Sequence, residues 1–371
     1  MIDTTAEPTD PEGLDETREE GWGDYPLDSV FVRNETRTVA EVVKRIKLGR
    51  YQLDPDFQRD FVWPTDKQSR LIESCLMRIP LPVLYVAEDK SGKIAVVDGL
   101  QRLTTFSRYL EDGFALSLPS SDEEDDPHAL HGLRFSELPI NLQERIEDTQ
   151  LIVYILDANA PERAKLDIFE RVNSGVPLTR QQMRNCLFNG RATRWLKRAA
   201  TSEQFILATG RSLDAKSMRD REAINRFCAF YLLGETKYRG DMDAFLAQAL
   251  EKMQEDSVDL DELFERFTLS MEFNRVLFGD HAFRKSLLPF VNGETSVNRS
   301  VINIALFDVY SVLLSRVDVD FVKRNARELR EQVSELLADG EFVNAITYST
   351  NSKRQVRTRF SIASEALGEL S

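Results

Sequence analysis

The residues best suited to chemistry lie in one stretch of the chain, Ile94–Phe106. Its polar residues include Asp98, Gly99, Gln101 and Arg102. The β-branched residues before them predict a strand, and the apolar residues at helical spacing after them predict a helix. Such a corner presents free backbone N–H groups and the positive end of a helix dipole to an anion, and the arginine adds a charge suited to phosphate. An ordinary capped helix has the same pattern, so this stretch alone leaves both interpretations open.

A second polar group lies in the proline-bounded loop at residues 54–64, where Gln58 and Arg59 stand among aromatic side chains. Aromatic rings beside an amide and a guanidinium are suited to hold a base and a phosphate. The same rings could instead anchor the loop to the core. We expect Gln58 and Arg59 to complete a pocket with the Asp98 stretch.

The helix that follows this loop is predicted to begin at a capping box formed by Thr65 and Gln68. Arg70 and Glu73 lie off the apolar stripe of this helix. They either form a surface ion pair that contributes little to stability or face a site.

A polar break between two predicted helices holds Arg171 and Asn173. The next helix is predicted to begin at a second capping box, Thr179 and Gln182. Polar loop residues between helices often carry function, so this break is also a candidate.

The strongest local positive charge falls between Leu178 and Arg198, which holds six bases and no acid. The bases are Arg180, Arg184, Arg191, Arg194, Lys197 and Arg198. They could contact DNA phosphates irrespective of sequence, and Trp195 could stack on a base. A solvated helix face is the equally weighted alternative.

Metal and redox chemistry receive little support. His128 and His131 lie in an acidic loop and could bind a metal, although solvated side chains are the commoner outcome. The three cysteines, Cys75, Cys186 and Cys228, lie in apolar helical settings without disulfide or zinc spacing. We expect them to be reduced core residues.

The net charge of −14 comes from two acidic segments, residues 1–27 and 120–127. Without them 48 acids face 47 bases, so a nucleic-acid partner is not excluded. Residues 1–27 are expected to form a disordered tail. No apolar run is long enough to span a bilayer and the N-terminus lacks signal-peptide features, so we expect a cytoplasmic protein.

The fold class is predicted to be α+β. Residues 82–88, 93–97 and 149–156 are predicted strands, while the chain beyond residue 200 shows only helical spacing. We expect one domain over residues 28–200 and an α-helical domain over residues 201–371.

Five motifs in this order resemble the domain-of-unknown-function 262 family, also called the GmrSD restriction endonuclease N-terminal domain family. They are Phe57–Trp63, Arg70–Leu76 with Ile79–Pro82, Val97–Thr105, Phe169–Gly175 and Glu222–Phe227. The resemblance is close over about residues 30–200 and weaker beyond. It implies a nucleotide-binding core similar in fold to ParB and sulfiredoxin, in bacterial anti-phage systems that restrict modified DNA.

The family's Asp-Gly-Gln-Gln-Arg motif, implicated in NTP binding and hydrolysis, matches residues 98–102, with Leu100 in place of its first glutamine. The resemblance implies catalytic roles for Asp98, Gln101 and Arg102: helix N–H groups and Arg102 hold phosphates, Asp98 holds Mg²⁺ or orients water, and Gln101 places that water. The nucleotide is GTP or ATP. The expected nucleotide-binding set is Gln58, Arg59, Asp98, Gly99, Gln101, Arg102 and Thr104, with Arg70, Glu73, Arg171 and Asn173 around it.

Many family members also carry a His-Asn-His nuclease domain, which needs a histidine base and metal ligands. The region after residue 200 holds one histidine, His281, without a paired ligand motif. We therefore expect an NTPase that senses or acts on DNA with a separate nuclease or defence subunit, or as a homo-oligomer. The alternatives are a non-enzymatic, nucleotide-switched DNA-binding or regulatory subunit and a weak metal-dependent DNA nickase.

Overall fold

The computed structural model describes residues 10–14, 32–53, 63–89, 91–118, 129–160, 162–172, 178–294 and 297–368. The chain divides into two compact units, Trp22–Asn189 and a second formed by Met1–Gly21 with Gly190–Ser371. We call them the N-terminal unit and the helical unit.

The N-terminal unit is built on one mixed sheet of five strands in the order β1-β5-β3-β4-β2. The strands are β1 (Val32–Thr38), β2 (Tyr51–Gln52), β3 (Leu84–Glu88), β4 (Ile94–Asp98) and β5 (Gln150–Leu156). The pairs β1–β5 and β3–β4 are antiparallel, whereas β3–β5 and β2–β4 are parallel. The predicted strand pair and the predicted strand near residue 150 are confirmed, and so is the α+β class.

Helices cover both faces of this sheet, which explains why its central strands are apolar except near their ends. Successive side chains of a strand point to opposite faces. Val96 therefore packs in the larger core and Val97 in the smaller one. The helices of this unit are Val39–Lys47, Thr65–Leu76, Leu100–Leu110, Ile140–Glu147, Glu162–Val172 and Arg180–Leu187.

Two strands of the sheet were not predicted, β1 and β2. In β1 every second residue is charged, and only Arg37 is buried. An edge strand of this composition lacks the apolar alternation by which strands are recognised. β2 has only two residues, too few to give a pattern.

The helical unit contains no strand among its described residues longer than an isolated bridge. Its helices are Arg191–Ala200, Glu203–Thr209, Arg219–Leu233, Met242–Gln254, Leu260–Phe278, Leu287–Val291, Ile304–Leu314, Val319–Ala338, Gly340–Thr347 and Lys353–Gly368. The helical character predicted beyond residue 200 is confirmed. The helix Arg191–Ala200 also packs in this unit, because its Trp195 Nε1 donates to the carbonyl of Leu260 at 2.8 Å. The division of the chain thus precedes the domain boundary expected after residue 200.

Part of the expected acidic tail is ordered. Glu12 N–H donates to the carbonyl of Ile302 at 2.8 Å and Ile304 N–H donates to the carbonyl of Glu12 at 3.0 Å. Leu14 is buried. The prediction of disorder is therefore wrong for residues 10–14, because one apolar side chain and two backbone hydrogen bonds anchor them to the helical unit. The rest of the predicted tail and the acidic segment at 120–127 lie outside the described residues.

Two general expectations concern redox state and membranes. All three cysteines are free and buried, as predicted, and burial raises the pKa of the Cys75 thiol to about 11. Among the residues that the structure describes, no helix combines the length and the apolar character needed to cross a bilayer.

Candidate functional site

The corner between β4 and the helix Leu100–Leu110, which we call the motif helix, turns at Gly99. This residue has φ +96° and occupies the N-cap position of the motif helix. A Cβ atom there would lie 2.1 Å from Leu84 Cδ2. Only glycine satisfies both the left-handed backbone and this close approach. No described side chain caps the helix, so the N–H groups of its first turn remain available to an anion.

Asp98 and Arg102 form the charged centre of the corner. Arg102 Nη2 donates to Asp98 Oδ2 at 3.0 Å and to the carbonyl of Val83 at 3.0 Å, and Nη1 donates to the carbonyl of Pro82. Arg102 is 9% exposed, and burial lowers the pKa of its guanidinium, against the attraction of Asp98. Three of its five N–H donors are thus engaged within the protein, which holds the guanidinium beside Asp98.

The second oxygen of Asp98 is the open group of this pair. Among the described residues none donates a hydrogen bond to Asp98 Oδ1, and the side chain is 36% exposed. Arg102 therefore holds the carboxylate through Oδ2, and Oδ1 accepts no hydrogen bond from the described residues. Such an oxygen can accept a proton or coordinate a cation.

Gln101 connects the corner to Trp63, just before the helix Thr65–Leu76. Its Oε1 accepts a hydrogen bond from the N–H of Trp63 at 3.0 Å. Gln68, from the helix Thr65–Leu76, donates to the carbonyl of Trp63. Two glutamines thus bond to the backbone of Trp63, the first described residue after residue 53. The predicted N-cap at Thr65 is wrong: Pro64 holds that position, because Gln68 bonds to Trp63 instead of closing a box with Thr65.

The two remaining residues of the corner, Leu100 and Thr104, differ in exposure. Leu100 is 8% exposed and belongs to the larger core of the sheet. The leucine that departs from the family motif therefore packs inward and removes no polar group from the open side of the corner. Thr104 is partly exposed one turn further along the motif helix.

Several other predicted site residues can be located only in part. Gln58, Arg59 and Asn173 lie outside the described residues. Arg70 is exposed and Glu73 is partly exposed, and neither side chain has an ion-pair partner in the described part of the chain. Arg171 is exposed at the end of its helix. The second capping box is confirmed, with Thr179 N–H donating to Gln182 Oε1 at 2.8 Å and Gln182 N–H donating to Thr179 Oγ1 at 3.3 Å.

Two residues of the basic segment are not surface groups. Arg184 is 1% exposed and its Nη1 donates to Gln181 Oε1 at 2.9 Å. Trp195 is buried with its ring against Phe264 and Phe267. The expectations that Arg184 contacts DNA phosphate and that Trp195 stacks on a base are therefore wrong, because both side chains pack inside the protein.

The charge of the other bases in this segment is largely balanced within the chain. Arg180 pairs with Asp167 at 2.9 Å, Arg191 with Asp256 at 3.1 Å and Arg198 with Asp261 at 2.9 Å. Arg194 is exposed and has no ion-pair partner in the described ranges, and Lys197 is partly exposed. Arg180 and Arg184 belong to the N-terminal unit and the others to the helical unit.

The described residues contain no group of three or more side chains able to hold a metal ion. A Mg²⁺ that arrives with a nucleotide needs less, because it keeps several waters and takes one or two carboxylates together with the phosphates. Asp98 Oδ1 fits that requirement. His131 does not offer a free ring: its Nδ1 lies 2.8 Å from the carbonyl oxygen of Leu118. His128 lies outside the described residues.

Sequence reasoning missed the partners that fix the corner. The segment Ile79–Pro82 entered the sequence analysis as part of a motif without a structural role, yet its last carbonyl and that of Val83 accept from Arg102. The sequence gives no local signal for this contact, because Arg102 lies 20 positions after Pro82.

A comparison with known families gives a match within the N-terminal unit. Residues 39–189 match the family model described as GmrSD restriction endonuclease, N-terminal domain. The match ends at the residue where the N-terminal unit ends, and it contains the corner. It confirms the resemblance noted in the sequence over this segment, while the motif Glu222–Phe227 lies outside it. No functionally curated protein matches the chain.

Proposed function

We propose that this chain is a restriction-type, phage-defence protein of the cytoplasm whose N-terminal unit binds and hydrolyses a nucleoside triphosphate at the Asp98 corner. The observation that carries the proposal is the arrangement of Asp98, held by Arg102, beside the uncapped first turn of the motif helix. An oriented carboxylate next to free N–H groups suits a phosphate chain and its cation. The family match supports the restriction-type role, and a core similar to ParB and sulfiredoxin is part of the same proposal.

In this proposal each group at the corner has a separate task. The N–H groups of the first helical turn bind phosphate oxygens, where the helix dipole favours negative charge. Asp98 Oδ1 holds Mg²⁺ or orients the attacking water, and Arg102 keeps that oxygen in place. Bound Mg²⁺ supplies positive charge to the phosphates. Gln101 fixes the loop at Trp63, and Gln58, Arg59 and Thr104 complete the pocket.

DNA recognition and cleavage involve further groups. The proposed contacts to DNA phosphates are the bases of the basic segment that are exposed or partly exposed in the helical unit, Arg191, Arg194, Lys197 and Arg198. His281 is engaged with Ser286 Oγ at 2.9 Å and stacked on Phe290. We therefore assign strand cleavage to a separate nuclease subunit.

Nucleotide titration with and without Mg²⁺ tests the proposal. Isothermal titration calorimetry of the full chain with GTP and with ATP should show binding that Mg²⁺ strengthens about tenfold, which corresponds to about 1.4 kcal/mol. Asp98→Asn should remove this Mg²⁺ effect, while the matched variant Asp148→Asn, at an exposed position, should retain it. Absence of binding by both nucleotides, or a full Mg²⁺ effect in Asp98→Asn, would contradict the proposal.

A further inference from the structure

A cavity of about 420 Å³ lies in the N-terminal unit at the opposite end of β4 from Asp98. Six charged side chains line it: Arg33, Arg37, Arg45, Arg50, Lys93 and Glu88. β4 begins at Ile94, in the cavity wall, and ends at Asp98. At 3.3 Å per residue, roughly 13 Å of strand separates the two ends. The cavity is therefore distinct from the corner, and its volume falls in the range of sites for small ligands.

Arg37 is the buried base of the cavity lining. This side chain is 8% exposed, donates to the hydroxyl of Tyr51 and forms an ion pair with Glu35. Arg37 lies on β1 and Tyr51 on β2, the two edge strands of the sheet. The hydrogen bond thus joins both edges and holds the basic wall in one position.

Three of the five bases are balanced by carboxylates. Arg33 pairs with Glu88 at 2.7 Å and Arg45 pairs with Glu41 at 2.8 Å, in addition to the pair formed by Arg37. These pairs fix the side chains in the wall but contribute little net charge.

Arg50 and Lys93 are the uncompensated charges. Both are exposed, and neither has an ion-pair partner among the residues that the structure describes. The N–H of Ile94 donates to the carbonyl of Arg50 at 2.8 Å, which places Arg50 beside the residue that follows Lys93. Two adjacent positive charges at the rim of a basic cavity select an anion with at least two negative oxygens.

The backbone around these bases is also open. Gly49 and Gly92 both have positive φ, and nothing lies within 4 Å of the position that a Cβ atom would occupy on either. A ligand can therefore approach the main chain at two points of the wall without meeting a side chain.

We propose that this cavity is a phosphate-binding site, separate from the Asp98 corner, in which Arg50 and Lys93 contact the anion above the fixed guanidinium of Arg37. Guanidinium and ammonium groups bind phosphate oxygens through charge-assisted hydrogen bonds. The phosphate belongs either to a free nucleotide or to the backbone of a nucleic acid. The site does not depend on nucleotide turnover at the corner.

Charge reversal tests this site against a matched control. The variant Arg50→Glu/Lys93→Glu is compared with Lys67→Glu/Arg78→Glu, which changes the net charge equally at exposed positions of the same unit. The probes are sodium pyrophosphate, by calorimetry, and a fluorescein-labelled 20-nucleotide DNA as single strand and duplex, by anisotropy. We expect the first variant to lose at least tenfold in affinity for one class of probe and the control to lose less than twofold.

The class of probe affected identifies the source of the phosphate. Loss confined to pyrophosphate indicates a free nucleotide, and loss for the DNA indicates a nucleic-acid backbone. Equal losses in both variants, or no probe whose binding depends on Arg50 and Lys93, would overturn the proposal.

A second measurement uses the unmodified protein and so does not depend on the folding of a variant. Acylation of lysines by an N-hydroxysuccinimide ester, followed by mass spectrometry, should be slowed at Lys93 at least threefold by the bound probe and unchanged at Lys67. Equal acylation of Lys93 with and without saturating probe would also overturn the site.

Discussion

Arg102 Nη2 lies 3.0 Å from the carboxylate of Asp98, four residues earlier in the chain, and also donates to the carbonyl of Val83, while Nη1 donates to the carbonyl of Pro82. One side chain therefore ties the end of β4 to the segment that enters β3. Because three of its N–H donors are engaged within the protein, we expect Arg102 to act mainly by positioning Asp98.

The variant Arg102→Lys tests whether Arg102 acts by positioning Asp98 or through its charge alone. A lysine keeps the positive charge but lacks the fork that reaches three acceptors. We expect a loss of about 1–3 kcal/mol in the free energy of unfolding, because carbonyls lose their donors. The NTP turnover rate should fall at least tenfold, whereas NTP affinity should change less than threefold. Urea unfolding and single-turnover kinetics measure the two effects. A loss confined to affinity would instead indicate direct contact with phosphate.

Gly99→Ala tests whether the corner requires glycine. The new Cβ would meet Leu84 Cδ2 at 2.1 Å in a left-handed backbone. We expect destabilisation by about 2–4 kcal/mol, from backbone strain and overpacking together. Gly132→Ala is the control, because Gly132 also has positive φ but nothing within 4 Å. It should cost about 1 kcal/mol by strain alone. Equal losses of thermal stability in both variants would contradict the packing argument.

Asp308 holds two buried arginines in the helical unit. Arg226 binds both of its oxygens, at 2.8 and 2.6 Å, and Arg359 binds Oδ2 at 2.8 Å. All three side chains are at most 1% exposed. Asp308→Asn should reduce the free energy of unfolding by about 3–5 kcal/mol, because it leaves two buried cations without a counter-charge. Asp256→Asn removes only an exposed pair with Arg191 and should leave urea unfolding unchanged. Similar midpoints for Asp308→Asn and wild type would contradict this role.

Asp220 predicts a pH dependence of stability. Burial raises the pKa of this carboxyl to about 6, above about 3.9 in the unfolded chain. The folded state therefore binds the proton more tightly, and its stability falls as the pH rises from about 4 to about 6. Asp220→Asn lacks this charge, and its amide oxygen can still accept from the N–H of Arg221.

Relative to wild type, Asp220→Asn should be nearly neutral at pH 4 and more stable by about 2–3 kcal/mol above pH 6. Urea unfolding of both proteins at each pH measures the difference. A difference that stays constant with pH would show that ionisation of Asp220 is not its cause.

Local signals in the sequence were sufficient for the corner and for the second capping box. The Asp-Gly pair, followed by apolar residues at helical spacing, marks a strand-to-helix turn whatever surrounds it. The contacts of Arg102 with Pro82 and Val83 were not predictable in this way, because they join residues about twenty positions apart.

For the basic segment, the sequence did not predict which side chains are exposed. Its six bases predicted a strongly positive surface, but the charges in a sequence do not show which side chains are buried. Arg184 packs inside the N-terminal unit, and Arg198 lies over the ring of Phe264 and beside Asp261. The exposed basic pair Arg50 and Lys93 gave no sequence signal, because the two residues lie far apart in the chain and meet only through the pairing of β2 with β4.

Phosphate release from GTP and ATP by the full chain, in the presence of Mg²⁺, tests the central claim most directly. We expect turnover by wild type and by Asp148→Asn, and a loss of at least 100-fold in Asp98→Asn, which corresponds to about 2.7 kcal/mol in the activation free energy. Turnover by Asp98→Asn at the wild-type rate, or its absence in wild type with both nucleotides, would contradict an NTPase centred on Asp98.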